Sequence, residues 1–188
     1  MGMETTNLTG KLLVAMPGMG DPRFERAVLL ICTHDGEGAM GLMVNKPAPQ
    51  LSFHDLLTQL QLPCETAAPR QVHFGGPVEG QRGFVLHSRD YAGDASTLAV
   101  DETTAMTATL DILRDIAGGT GPAHALVALG YAGWSPGQVE GEIAANGWLV
   151  VDPTPELVFG ADNDAKWMAA IRALGIDPLL LSGAGGRA

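Results

Sequence analysis

Basic residues, aromatic rings, cysteines and long apolar runs are all scarce in this 188-residue chain, and each shortage removes a class of function. Eleven lysines and arginines stand against 21 aspartates and glutamates, a net charge of −10. Affinity for nucleic acid comes largely from cations that neutralise phosphates, so most of this surface repels DNA. Residues 1–100 sum to −3 and residues 101–188 to −7. A face that meets a polyanion is therefore expected in the first half, around Arg23, Arg26, Lys46, Arg70, Arg82 and Arg89. Two cysteines, Cys32 and Cys64, are too few for a disulfide framework and fit a reducing compartment. No stretch approaches the ~20 apolar residues of a membrane span. The early apolar run at 12–16 is interrupted by Pro17 and Asp21 before it reaches the length of a signal core. A cytoplasmic location without membrane association is the expectation. Aromatics contribute only 5% of residues, so the core has to be built from Leu, Val, Ile, Met and Ala.

What is present suits a folded domain. Hydrophobic residues make up 46% and charged ones 17%, which opposes disorder. A chain of this length buries roughly 70% of its unfolded surface and needs no metal or disulfide staple. The expected organisation is one domain over 11–182, or two intertwined subdomains sharing a core, between flexible ends at 1–10 and 183–188.

The stretch 31–47, ICTHDGEGAMGLMVNKP, contains Gly36, Gly38 and Gly41 in the spacing G-x-G-x-x-G after an apolar run. A dinucleotide site needs the third glycine to open a helix whose N-terminus holds the pyrophosphate. Only five residues separate Gly41 from Pro47, and the residue before a proline is pushed away from helical angles. The glycines are thus read as a hairpin turn between strands at 27–34 and 39–45, and no cofactor is expected.

Other elements follow from periodicity and punctuation. Strands are expected at 11–16, 72–74, 82–88, 96–100, 123–129 and 148–151. Helices are expected at 52–60, with Ser52 as N-cap, at 101–117, stopped by Gly118-Gly119, and at 163–174, with Trp167, Ile171 and Leu174 facing inward. A further helix is expected from 135 to 146, opened by a capping box of Ser135 and Gln138 with Pro136 at its first position. Interspersed strands and helices imply a mixed α/β or α+β sheet protein.

Few residues suggest chemistry. Cys32 and His34 are two apart on a strand, so they are expected on one face, where the pair offers a candidate reactive thiol. Against that stands the apolar strand around Cys32, since burial raises a thiol pKa and disfavours the thiolate. No third ligand lies near in sequence, so no metal site is expected. His73 and His87 flank Gly75-Gly76-Pro77 on strands read as adjacent. Glycines there let the backbone approach a ligand closely. Gly130, Tyr131, Gly133, Trp134 and Ser135 belong to a segment read as a loop from a buried strand to a helix N-terminus, a common ligand position in α/β sheets. Asn45, Gly75, Gly76, Pro77, His87, Gly130, Tyr131, Gly133, Trp134 and Ser135 together form the candidate pocket.

Several of these blocks occur together in a known family. They are residues 12–17 with Asp21-Pro22, Cys32-Thr33-His34 through Gly38–Leu42 to Asn45-Lys46-Pro47, Gly75-Gly76-Pro77-Val78 and 82–87. Gly130-Tyr131-Ala132-Gly133-Trp134 with Gln138 and Glu140, and Leu174-Gly175-Ile176-Asp177-Pro178, complete the set. Collinear from about residue 10 to 182, they closely resemble the bacterial AlgH/YqgE family. That resemblance implies a bifurcated β-sheet curled into a pseudo-barrel, helices packed outside it, and a cytosolic bacterial protein. Members are commonly labelled transcriptional regulators, with no established reaction, so no catalytic role carries over. Thr33 and Gln81 stand where the family usually has an acidic residue.

Three functional readings result. The first is a non-enzymatic regulator acting through a protein partner or small ligand, with any effect on transcription indirect. The second is an enzyme with a pocket near Asn45, 75–77 and 130–135. The third is a direct DNA-binding regulator, which the net charge and the lack of a helix with a basic face oppose.

Overall fold

The computed structural model describes residues 7–17, 21–91 and 97–181. Ten strands form one sheet: β1 (Leu12–Ala15), β2 (Val28–Asp35), β3 (Gly38–Met43), β4 (Pro47–Ser52), β5 (Gln71–Phe74), β6 (Val78–Ser88), β7 (Thr97–Ala99), β8 (Thr104–Thr107), β9 (Ala125–Trp134) and β10 (Trp148–Val151). The six helices among the described residues are α1 (Phe53–Gln59), α2 (Leu110–Gly118), α3 (Gln138–Ala144), α4 (Pro155–Phe159), α5 (Asn163–Ala173) and α6 (Pro178–Leu181). The main path runs β10-β1-β2-β3-β9-β6-β8-β7, antiparallel throughout, and curls into a half-barrel.

The sheet forks at β9. One edge of this strand pairs β6. On the other edge its first half pairs β5 in parallel, Val72 opposite Val127 and Phe74 opposite Leu129, while its second half pairs β3 antiparallel, Gly41 opposite Ala132 and Ala39 opposite Trp134. Between the halves lies Gly130, at φ +76°. Gly75 and Gly76 fill the crotch of the fork: a Cβ on Gly75 would stand 2.3 Å from the Gly130 carbonyl oxygen, and one on Gly76 2.1 Å from the Tyr131 carbonyl carbon. These glycines let three backbones meet where side chains would hold them apart.

Both faces of the sheet are covered. On one face Leu12, Val28, Leu30, Leu42, Phe84, Leu86 and Leu126 pack with Trp167, Ala170 and Ile171 of α5. On the other, Leu13, Leu29, Ile31 and Met43 pack with Trp134, Trp148 and Val139 of α3. A third cluster joins Val72, Val85 and Val127 to α1 and α2. Three large aliphatic clusters of this kind supply the burial that the aromatic-poor composition requires.

Where the interactions are local, the elements match their local signals. β2 and β3 form the expected hairpin, turning at Gly36 and Glu37. Ser52 caps α1, accepting from the Asp55 N–H at 3.0 Å while Asp55 accepts from the Ser52 N–H at 3.2 Å. Gly119, at φ +85°, stops α2.

Elsewhere the chain differs from the expectation. The helix expected at 101–117 begins only at Leu110, because Asp101 accepts the N–H groups of Thr103 and Thr104, both at 2.8 Å, and turns the chain. Thr104–Thr107 then enters the sheet as β8. Residues 130–134, expected as a loop, continue β9 because β3 and β6 flank them. Ser135 is not the N-cap of α3. Gly137 is, in the left-handed region, although half of the box survives as the Ser135 N–H donating to Gln138 Oε1 at 2.9 Å. Leu174 is 41% exposed, and Lys166 takes an inward place on α5 instead. At the expected flexible start, Leu8 is buried and its N–H donates to His34 Nδ1 at 3.0 Å; residues 1–6 and 182–188 lie outside the described residues.

Candidate functional site

Cys32 and His34 do not share a face. The β2–β3 register slips between Ile31 and Thr33, leaving Cys32 as the extra residue of a bulge. A bulge inverts the alternation beyond it. Cys32 consequently packs with Leu30 and Leu42, whereas His34 lies opposite Ala39, which belongs to the cluster on the other face. Burial pushes the Cys32 thiol up to about 12, so the thiolate is absent at neutral pH. His34 is tied elsewhere. Its Nδ1 accepts from Leu8, which leaves Nε2 as the proton-bearing nitrogen, and this faces Glu140 Oε2 on α3 at 3.0 Å.

The other sequence candidates divide. Asn45 is a buried brace, accepting from the Val28 N–H at 2.9 Å and donating to the Arg26 carbonyl at 2.8 Å. His87 is buried between Thr107 Oγ1 and the Ser88 carbonyl, each at 2.8 Å. His73 and His87 are not on adjacent strands; β9 lies between theirs. Gly75, Gly76 and Gly130 form the fork. Tyr131 packs edge-on to Phe84, 5.8 Å between centroids. Of the candidate pocket residues, Pro77, Gly133 and Trp134 line a cavity.

That cavity is a cleft of about 650 Å³ where the second half of β9 meets α3, β10 and the turn at Pro22–Phe24. Its centre is Glu142, which sequence reading did not select. Glu142 Oε1 accepts from Trp134 Nε1 at 3.0 Å and from Trp148 Nε1 at 2.9 Å, and Oε2 accepts from Gln138 Nε2 at 2.8 Å. The Gln138 oxygen in turn holds the Ser135 N–H. One turn of α3 places Gln138 and Glu142 on the same side, as an i, i+4 pair does. That spacing was the available sequence signal, but its indole partners come from two different strands.

Aromatic rings lock the walls. Trp134 and Trp148 meet edge to face at 6.2 Å, and Phe24 meets Trp148 likewise at 5.7 Å. The rim carries Asp21 and Arg23. Asp21 accepts from the Arg23 N–H at 2.9 Å, from its Nε at 3.1 Å and from its Nη2 at 2.8 Å. The hydrogen-bonded Arg23 guanidinium holds the Asp21 carboxyl below the usual carboxylate range. α3 ends at the cleft: Asn146 takes the left-handed conformation at φ +64°, and the Gly147 N–H returns to the Glu142 carbonyl at 2.8 Å.

Fold and cleft together define a class: a forked, curled α/β sheet domain whose concavity is organised around one clamped carboxylate. The chain belongs to the AlgH-like family, whose model matches residues 12–179. It is 59% identical to the UPF0301 protein of Ruegeria pomeroyi over 184 residues, covering 97% of this chain and 100% of that one. The UPF0301 protein of Paracoccus denitrificans is 53% identical, with 98% and 99% covered. The solution structure of the AlgH protein from Pseudomonas aeruginosa superposes with a TM-score of 0.80 at 38% identity, covering 100% of each chain. A Corynebacterium diphtheriae protein, 22% identical with a TM-score of 0.71 over 92% of this chain, shares the fold.

Proposed function

We infer that this protein is a non-catalytic binding protein whose small ligand occupies the Glu142 cleft, and that ligand occupancy regulates its further contacts. One observation carries the reading: the carboxylate at the centre of the cleft is held by three donors, so the site is preorganised as a shape with a fixed charge. A volume of about 650 Å³ lies within the ~300–1,000 Å³ typical of small-molecule sites. The thiol considered for an enzyme is buried and lies in a different cluster from the aromatic walls. A net charge of −10 opposes the DNA-binding reading. The transcriptional label attached to the family would then reflect an indirect effect, through ligand or protein partner.

A thermal-shift screen of the full chain against a metabolite library tests this. The expected hit raises Tm, moves the indole N–H resonances of Trp134 and Trp148, and loses its effect in Ala145→Phe, a substitution on the cleft wall. A hit consumed with turnover, or one whose effect survives Ala145→Phe and leaves both indoles unmoved, overturns the proposal.

A further inference from the structure

We propose that the cleft selects a small organic cation, an ammonium or guanidinium carried on an apolar body. This rests on the cleft being the binding site, and its own support is the inventory of charge and donors there.

Two carboxylates, Asp21 and Glu142, and one guanidinium, Arg23, line the cavity. Arg23 is already committed to Asp21 through its backbone, Nε and Nη2. All three groups bonded to Glu142 are uncharged donors, two indoles and an amide. Among the described residues no cation forms an ion pair with Glu142. The negative charge at the centre is therefore clamped in position without being neutralised.

The donors point the same way. An anion would be recognised by N–H groups, and both indole N–H edges of the cleft are consumed by Glu142. One of the two Gln138 amide N–H groups is consumed as well, leaving its second and the Asn146 amide as neutral donors in the lining. Ala145, Asn146 and Gly147, at the C-terminal end of α3, form another part of the lining. The last turn of a helix is the negative end of its dipole, which favours a cation, although here the Gly141, Glu142 and Ile143 carbonyls already accept backbone N–H groups. Phe24, Trp134 and Trp148 add rings, whose quadrupoles attract ammonium and guanidinium groups. The whole chain, at −10, raises the local concentration of cations around it.

A metal ion suits the lining less. Hard divalent cations take roughly six to eight oxygen ligands, and among the described residues no group of three or more His, Cys, Asp or Glu converges. A bulky, weakly hydrated organic cation needs only one carboxylate and an apolar wall.

The test uses the full chain and four probes of similar size: benzyltrimethylammonium, agmatine, benzyl alcohol and benzoate. Indole N–H resonances report occupancy, with Trp167 as internal control because its ring packs in the cluster on the opposite face of the sheet. Both cations are expected to shift Trp134 and Trp148 saturably, while benzyl alcohol and benzoate bind at least tenfold more weakly. Glu142→Gln, which keeps an acceptor for the indoles, is expected to weaken cation binding at least tenfold. Asp21→Asn, on the exposed turn, frees Arg23 and is expected to weaken it several-fold even if the first variant misfolds. Benzoate or benzyl alcohol binding as tightly as the cations, or cation binding unchanged in either variant, overturns the cation assignment while leaving the cleft as a site. If no probe and no library compound moves either indole, both the assignment and the cleft reading fail.

Discussion

Removing the acceptor at the centre of the cleft puts the structural reasoning at greatest risk. In Glu142→Ala two indole N–H donors lose their partner, on side chains whose residues are only 7% (Trp134) and 2% (Trp148) exposed. A buried donor left unpaired costs about 1–3 kcal/mol. The Gln138 amide sits on an exposed residue and recovers water, so it adds little. The sum is about 2–6 kcal/mol, the lower end applying if cleft water reaches both indoles. Against a typical stability of about 5–15 kcal/mol this is a large loss. Glu142→Gln should cost about 1 kcal/mol or less, because its carbonyl oxygen still accepts from both rings. Urea unfolding followed by far-UV circular dichroism and tryptophan fluorescence measures both variants, as a fall in midpoint at constant slope. An alanine variant within about 0.5 kcal/mol of wild type would refute the clamp, since that is the range of neutral surface changes. A glutamine variant as damaged as the alanine one would refute the role given to the acceptor.

Two further outcomes are expected. Gly76→Ala places a methyl 2.1 Å from the Tyr131 carbonyl carbon, where only backbone movement can relieve it. The fork should open at a cost above about 3 kcal/mol, with poor soluble yield; a variant unfolding at the wild-type urea midpoint would contradict the close approach. Lys166, 3% exposed with Nζ donating to the Val44 carbonyl at 2.7 Å and the Val158 carbonyl at 3.0 Å, has its pKa pushed by burial from the ordinary 10.5 down to about 8. Between those values the unfolded chain binds more protons than the folded one, so Lys166 makes stability rise with pH from about 8 to about 10.5, by up to about 3 kcal/mol. Lys166→Met should lack that rise, and parallel stability–pH curves for wild type and variant would refute the assignment.

How much of this was legible beforehand depends on the range of the interaction that decides each feature. The β2–β3 turn, the Ser52 cap and the stop at Gly119 rest on residues within four positions of one another, and sequence reading located them. The glycine-rich block at 130–134 misled because glycine pairs carry a turn signal locally. Two flanking strands, hydrogen-bonded from residues around 40 and 78, hold the same block extended. Asp101 misled in the opposite sense, offering a helix start by pattern and a turn by its actual hydrogen bonds.

By itself the sequence determined an acidic, aliphatic-cored α/β domain with short strands, capped helices and glycines too constrained by Pro47 to open a nucleotide-binding helix. Composition and near-neighbour geometry suffice for that, because burial and capping depend on residue type and spacing. Only the tertiary structure decided that one extra residue at Cys32 turns His34 toward Glu140, 106 positions away. It alone decided that β9 forks the sheet, and that indoles from β9 and β10 converge on one carboxylate of α3. Strand register and long-range pairing set those contacts, and a register shift of one residue, invisible in any short window, reverses which face every later side chain meets.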